Sequence, residues 1–483
     1  MPLILGTNSI KDTGYDVANS CRFQDSDSSE MSRAIASTGS NTTWTVSAWV
    51  KRVELGQSSP IFGTGDGNAN NDARMVFFDA DDKIECSYYN SGFTYEVTTN
   101  RLFRDISAWY HICILFDSTQ GVAANRIKIY VNGTQETSFA TSSYPAEDAA
   151  FNFGNTSYTH YVNDMGGRNI RGSHYIAELV YIDGTASAVT NFGEFDEDSP
   201  TIWKPKDVSE LSVGTNGVYL DFEDSSNLGN AVDGGTDFTE SNLDAQNQTT
   251  DTPTNNFATL NSLVTESGST FSEGNCKVVT SSSLGGGNFS TIAASAGKWY
   301  AEFKYVAESA SNEASISVSD TSHVANFNDG DYTTFLSEYA VGNWGLRNNS
   351  GRSYITSSGS QGSSDSQHDG WSLNDIIGVA LDCDNNKVYF SKNGGWQDAV
   401  DSWGGSSPDS YLTIQADFGE GSYVFGVGDS GTSQNVTWEC NFGGTSVSAI
   451  SSGNADGNGY GNMEYAIPSG YYVLCSKNLA EFG

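Results

Sequence analysis

At 483 residues the chain is too long for one hydrophobic core and fits two or three domains of ordinary size. Aromatics make up 12% and glycines number 52, so strand and turn formers outweigh helix formers and the composition reads as all-β. A formal charge of −36 argues against a nucleic-acid partner or an anionic membrane leaflet, and no apolar run is long enough for membrane insertion.

Residues 1–14 read as an N-terminal arm. Within it MPLILGTNSIKD has no basic start and only a short apolar stretch, so the expectation is synthesis and retention in a cytoplasm without a signal peptide. From 15 to 190 short alternating segments are separated by Gly, Asn, Asp and Ser clusters, the pattern of antiparallel strands and tight turns. In TWTVSAWVK, Trp44, Val46, Ala48 and Val50 share one face and Thr45, Ser47, Trp49 and Lys51 the other, which predicts a half-buried strand. WYHICILFD (Trp109 to Asp117) is a nearly continuous apolar strand. RIKIYVNG alternates Ile127, Ile129 and Val131 against Arg126, Lys128 and Tyr130 before an Asn-Gly turn, and IAELVYIDG closes the series. These motifs, in this order after CRFQDSDSSEMSR, resemble a laminin G-like, concanavalin A-type jelly roll of the kind found in marine bacteriophage tail proteins.

Residues 191–275 change character. Pro200, Pro205 and Trp203 precede one clear strand, GVYLDF, and then a polar run, so the stretch reads as an irregular connector with short strands. Its FGEFDED, WKPK, GVYLDF and DTPTNN motifs resemble the segment that follows the jelly roll in the same phage proteins. A second β-sandwich is expected over 276–445. GKWYAEFKYV sets Trp299, Ala301, Phe303 and Tyr305 against Tyr300, Glu302, Lys304 and Val306. In GWSLNDIIGVALDCDNNKVYFSKNGGW, two strands are joined by Asp384-Asn385-Asn386 and end at Asn393-Gly394. That stretch resembles the core of a SPRY domain, and YLTIQADFGEGSYVFG and VTWECNFGG resemble its closing strands. Residues 446–483 read as a Gly-rich crossing and a docking strand. The fold class is therefore two antiparallel β-sandwich, jelly-roll domains joined by an irregular connector.

The chemistry-bearing motifs point away from catalysis. Concanavalin A-type glycanases carry Glu-x-Asp-x-x-Glu on one strand, and Glu194-Phe195-Asp196-Glu197-Asp198 has Ser199 and Pro200 where the third acid belongs. Gly428-Asp429-Ser430-Gly431 is similar to a serine-protease nucleophile loop, but Thr432 follows it and none of the five histidines sits in a general-base motif. The seven cysteines show no Cys-x-x-Cys and read as buried thiols. Calcium is the one cofactor left open. Its candidate ligands are Asp25, Asp27 and Glu30, with Asp66 and Asp72 in GDGNANND, weighed against plain solvated acidic turns. Sugar rings stack on aromatic faces beside Asp, Asn and Gln. That makes Tyr88, Tyr89 and Tyr95, the run Tyr158, His160, Tyr161, and the pair Trp396 and Trp403 candidate ligand contacts, against a core role for each.

The resemblance implies a non-enzymatic virion surface protein, a tail or surface fibre made in the host cytoplasm that attaches to a bacterial cell-surface glycan or receptor. It further implies other tail or capsid proteins as partners and a homo-oligomer, by resemblance a trimer; no heptad or β-helical repeat is present. The alternatives are a polysaccharide depolymerase with an unrecognised carboxylate pair and a purely structural capsid or tail decoration subunit.

Overall fold

The computed structural model describes residues 13–68, 70–265, 268–280, 287–309, 314–328, 342–349, 352–356, 367–398, 402–414, 421–429 and 435–483. All but the last two residues of the expected N-terminal arm, and Ser430 and Gly431 of the protease-like loop, lie outside them. The protein is all-β in antiparallel sheets paired as sandwiches, and it forms two compact units, one of residues 13–254 and one containing residues 255–483.

In the first unit one sheet runs in the order Thr134–Gln135, Ile127–Val131, Trp109–Asp117, Thr43–Arg52, His174–Asp183, Ser20–Phe23 and Gln248–Thr249. The facing sheet runs Phe139–Ser143, Phe93–Thr99, Ile84–Asn90, Asn71–Phe78, Ser59–Gly65, Thr159–Val162, Glu30–Ala34 and Thr239–Ser241. Between them Trp44, Val46, Ala48 and Val50 meet Ile127, Ile129 and Val131 in the core, as their alternation predicts. The Trp44 indole stacks on Phe116 with ring centroids 5.3 Å apart, and Phe153 closes on its edge. Asn132 and Gly133 (φ 47° and 74°) form the two-residue hairpin turn that the Asn-Gly pair predicts, Val131 pairing with Thr134.

The expected half-buried strand is buried on both faces. Thr45, Ser47, Trp49 and Lys51 are each no more than 4% exposed. The reason lies in the stretch expected as a connector. Phe192, Trp203, Val208, Val213 and Tyr219 join Trp49, Trp109, Cys113, Tyr175 and Val180 in a second apolar layer on the outside of the sheet. Val218–Leu220 pairs with His174–Asp183, Thr239–Ser241 with Glu30–Ala34, and Gln248–Thr249 with Ser20–Phe23. Residues 191–254 thus complete the first sandwich, while Leu260–Thr265 and Thr270–Ser272 belong to the second. Strands of two or three residues carry too little alternation to be read in advance.

Polar groups in the outer layer are matched. Lys51 Nζ lies 2.7 Å from Asp251 Oδ2, both side chains being 1% exposed, and the Trp109 indole N–H donates to Asp251 Oδ1 at 3.1 Å. Trp203 Nε1 donates to His111 Nδ1 at 3.1 Å, which leaves the His111 proton on Nε2 facing Ser47 Oγ at 2.8 Å. Gly133 has room for no side chain, since a Cβ there would sit 2.2 Å from the Trp203 ring.

In the second unit one sheet runs Leu260–Thr265, Gly287–Ser290, Tyr423–Asp429, Ala314–Asp320, Asn343–Asn349, Arg352–Thr356 and Gln367–Asp369. The other runs Thr270–Ser272, Lys277–Val279, Val436–Asn441, Lys298–Glu308, Ile376–Asp382, Lys387–Lys392, Gly395–Gln397 and Trp403–Gly405. Trp299, Ala301, Phe303 and Tyr305 point into the core. Tyr300 on the other face is covered by Phe257, Met463, Tyr471, Val473 and Cys475. The C-terminal segment docks through Tyr472–Val473, parallel to Lys298–Glu308, and ends in a helix, Ser476–Phe482, that no sequence signal announced. All seven cysteines are buried.

Two outcomes test this packing. Asp251→Ala strands Lys51 in the interior and is expected to lower the stability of the first unit by about 3–5 kcal/mol in urea denaturation; a loss below about 1 kcal/mol would contradict the buried pair. Burial pushes His111, His160 and His174 down to about 3, with Arg33 adding to the effect at His160 and Arg52 at His174. Their folded pKa values lie below the unfolded value of 6.5, so their contribution is complete above pH 6.5 and is lost as pH falls from there toward 3. Histidine ring NMR shifts should accordingly show all three neutral at pH 5, where exposed imidazoles are charged.

Candidate functional site

The first sheet's outer face is covered, so the outward face of its partner sheet is the one that presents side chains. Strand register builds it row by row. Ser32 pairs with Tyr161, Tyr161 with Gly63, Gly63 with Arg74, Arg74 with Ser87, and Ser87 with Glu96. The next row runs Ala34, Thr159, Gly65, Asp72 and Tyr89. Neighbouring strands lie about 4.8 Å apart, so Tyr161 and Arg74 stand roughly 10 Å apart across a floor that has no side chain at Gly63.

Half-buried Tyr161 forms one wall. Arg74 forms the other, its guanidinium over the rings of Phe77, Tyr89 and Phe93 at 5.6, 5.9 and 5.2 Å. Tyr89 and Phe93 meet edge to face at 5.3 Å, and Phe93 is 46% exposed. Arg74 is held from below by Asp72 at 3.3 Å and Glu85 at 3.1 Å. At the end of the rows, the loop after Thr159–Val162 adds charged groups. Asp164 Oδ1 accepts from the backbone N–H groups of Gly167 and Arg168, and Arg171 spans Asp164 (3.5 Å) and Glu30 (2.6 Å). Burial, with Glu30 nearby, pushes Asp164 up to about 6.

The aromatic candidates divide by this geometry. Tyr89 and Tyr161 lie on the outward face. Tyr88, Tyr95, Tyr158 and His160 are at most 5% exposed and pack inward, Tyr88 against Phe151 and Phe153, and His160 against Tyr181. Their alternation partners on the same strands point out, a choice of face that composition does not reveal. Trp396 is buried on Tyr300, and Trp403 is half-buried with the Lys392 ammonium 5.6 Å over its ring.

Two of the five calcium candidates, Asp72 and Glu30, are matched by cations of the protein. Asp72 is fully buried between Arg74 and Arg168, and Glu30 accepts through one oxygen, Oε2, from both Nε and Nη2 of Arg171. Asp66 caps its own loop by accepting from the Asn68 N–H and the Asn71 amide. Asp25 and Asp27 sit exposed in a turn, where Asp27 accepts from Ser26. Among the described residues no group of three or more His, Cys, Asp or Glu side chains is placed to hold a metal. Arg74 and exposed Phe93, with buried Asp164 and half-buried Arg171 at the end of the rows, were not singled out; for the last two the available signal was the basic, glycine-rich NDMGGRNIRG run directly after Val162.

The acids and Ser–His contacts elsewhere are either paired with lysines or enclosed. Glu194 and Asp196, in the failed glycanase motif, sit on a two-strand hairpin and pair with Lys204 and Lys206. Glu178, buried with Tyr219 and Tyr15 hydroxyls donating to it, is pushed up to about 8 by burial. At Ser47–His111 the imidazole donates to the hydroxyl, the reverse of what a general base requires.

A family model described as "Concanavalin A-like lectin/glucanases superfamily" matches residues 25–168. Among solved structures, the SPRY domain of human HERC1 is similar at 14% identity and a TM-score of 0.28, with 39% of this chain and 99% of that one covered. The TRIM65 PSpry domain is similar at 14% identity and a TM-score of 0.24, over 38% and 91%. A heptameric SAP-like pentraxin from Limulus polyphemus is similar at 13% identity and a TM-score of 0.26, over 37% and 82%. No curated protein matches the chain. The first sandwich thus carries a laminin G-type, concanavalin A-like fold.

Proposed function

We propose that the chain is a non-catalytic recognition protein of a phage particle, a tail or surface fibre that binds a bacterial cell-surface glycan through the open sheet face of its first unit. The observation that carries the reading is the row Tyr161–Gly63–Arg74 with Tyr89 and Phe93 beside it. Ring C–H faces of a sugar stack on tyrosine and phenylalanine, while arginine and carboxylates meet its hydroxyls. The lectin/glucanase family match over 25–168 supports a sugar ligand, since those residues contain this face. The virion setting, the tail or capsid partners and a trimeric assembly rest on the motif resemblance alone. The reading assigns no calcium to Glu30 or Asp72, whose carboxylates meet arginines, and leaves it open at Asp25, Asp27 and Asp66.

One observation favours a depolymerase as the second reading. Asp164, pushed up to about 6 by burial, and Glu30 are held side by side by Arg171, a carboxyl pair of the kind an acid and a base require.

The test is binding of purified protein to host cells with and without their surface polysaccharide, and with a calcium chelator. Loss of binding on stripping supports the reading. Tyr161→Ala and Tyr89→Ala should each weaken binding roughly tenfold, the loss of one aromatic stack, without a change in melting temperature beyond a few degrees. Unchanged affinity in both variants would overturn the assignment of this face. New reducing ends from isolated polysaccharide, abolished by Asp164→Asn, would replace it with the depolymerase.

A further inference from the structure

The second unit holds a cavity of about 290 Å³ that the function above does not use. Its floor is the outward face of the sheet, where Lys304 pairs with Glu439 and Glu302 with Asn441 across neighbouring strands. Its far wall is the crossing segment 446–451 together with Glu464 and Tyr465. Glu302 fixes that wall in place. Its carboxylate accepts from the backbone N–H groups of Glu464 and Tyr465 at 2.8 and 2.9 Å and from the Tyr300 hydroxyl at 3.0 Å.

The polar groups in this cavity fall into two classes. Glu302 is consumed by those three donors, and Glu464 by the Ser451 N–H and hydroxyl. Lys304 and Glu439 are not consumed. Lys304 donates to Ser448 Oγ at 2.8 Å, Ser448 donates to Glu439 Oε2 at 2.5 Å, and the ammonium stands 3.9 Å from that carboxylate. An ammonium has three donors, and among the described residues Glu439 Oε1 has only a distant Lys277 at 3.9 Å. The pair therefore offers donors and an acceptor side by side with no net charge between them. Ile376, Ile450 and the Tyr465 ring line the same space with apolar surface.

We propose that this cavity binds a single neutral hexose unit, as a glycan site separate from the face of the first unit. A hydroxyl can accept from Lys304 and donate to Glu439 at once, a vicinal diol satisfies both, and the apolar residues take the C–H surface of the ring. The volume lies at the small end of ligand pockets, roughly 300–1,000 Å³, which suits one ring and not a chain. Anionic sugars are disfavoured because three carboxylates, Glu302, Glu439 and Glu464, face one lysine.

The experiment titrates the full-length protein with the methyl glycosides of glucose, galactose, mannose and glucuronic acid, read by ligand-observed NMR. Binding of at least one neutral glycoside is expected, with methyl glucuronide at least tenfold weaker. Glu439→Gln should weaken it at least fivefold, and Ile450→Trp, at a half-buried position of the wall and filling the cavity, should abolish it with the melting temperature held. Tyr161→Ala should leave it intact, which separates failure here from failure of the first-unit reading. Absence of binding by every neutral glycoside, equal binding of the glucuronide, or binding unaffected by both cavity variants would overturn the proposal.

Discussion

The strand Thr43–Arg52 is buried on both faces, and much of the first unit follows from that constraint. A strand in that position cannot leave Trp49 or Lys51 to water, so the sheet must be covered on its outer side as well as its core side. The cover is made by residues 191–254, with Trp203 seated against the glycine turn at 133 and Asp251 neutralising Lys51. Removing a partner from such a buried pair exposes an uncompensated charge, which is why the cover and the sheet behave as one body.

Covering one sheet also decides where recognition can occur in that unit. The facing sheet's outward surface carries the half-buried tyrosines and Arg74, whose guanidinium is held by two carboxylates and lies over three aromatic rings. At its rim Arg171 is shared by Glu30 and Asp164, and Asp72 meets both Arg74 and Arg168. Such matching fixes side-chain positions, and fixed positions lower the entropy a ligand must overcome on binding.

The second unit solves the same problem with other material. Its sheet is bulky on both faces, Trp299 and Phe303 inward and Tyr300 outward, and the C-terminal segment covers the outward side through Met463, Tyr471 and Val473. That cover does not close everywhere. Glu302 pins it at 464 and 465, and the space left over Lys304 and Glu439 is the cavity.

Much of this was legible in the residues themselves. Alternation in Trp44 to Val50, in Ile127 to Val131 and in Trp299 to Tyr305 placed the core faces, and the Asn-Gly turn at 132–133 placed a hairpin, because local pleat and φ preference act within a few residues. What the sequence left open was which aromatic faces outward. Tyr88 and Tyr89 are adjacent and chemically identical, yet one packs on Phe151 and the other meets Phe93 at the surface. Nor did it show that the residues after 191 cover a sheet, that Glu30 and Asp72 are held by Arg171 and Arg168 from more than ninety residues away, or that Lys304 and Glu439 stand side by side. Those pairings depend on strand register and on which segment buries which face, and both are settled only when the sheets close on one another.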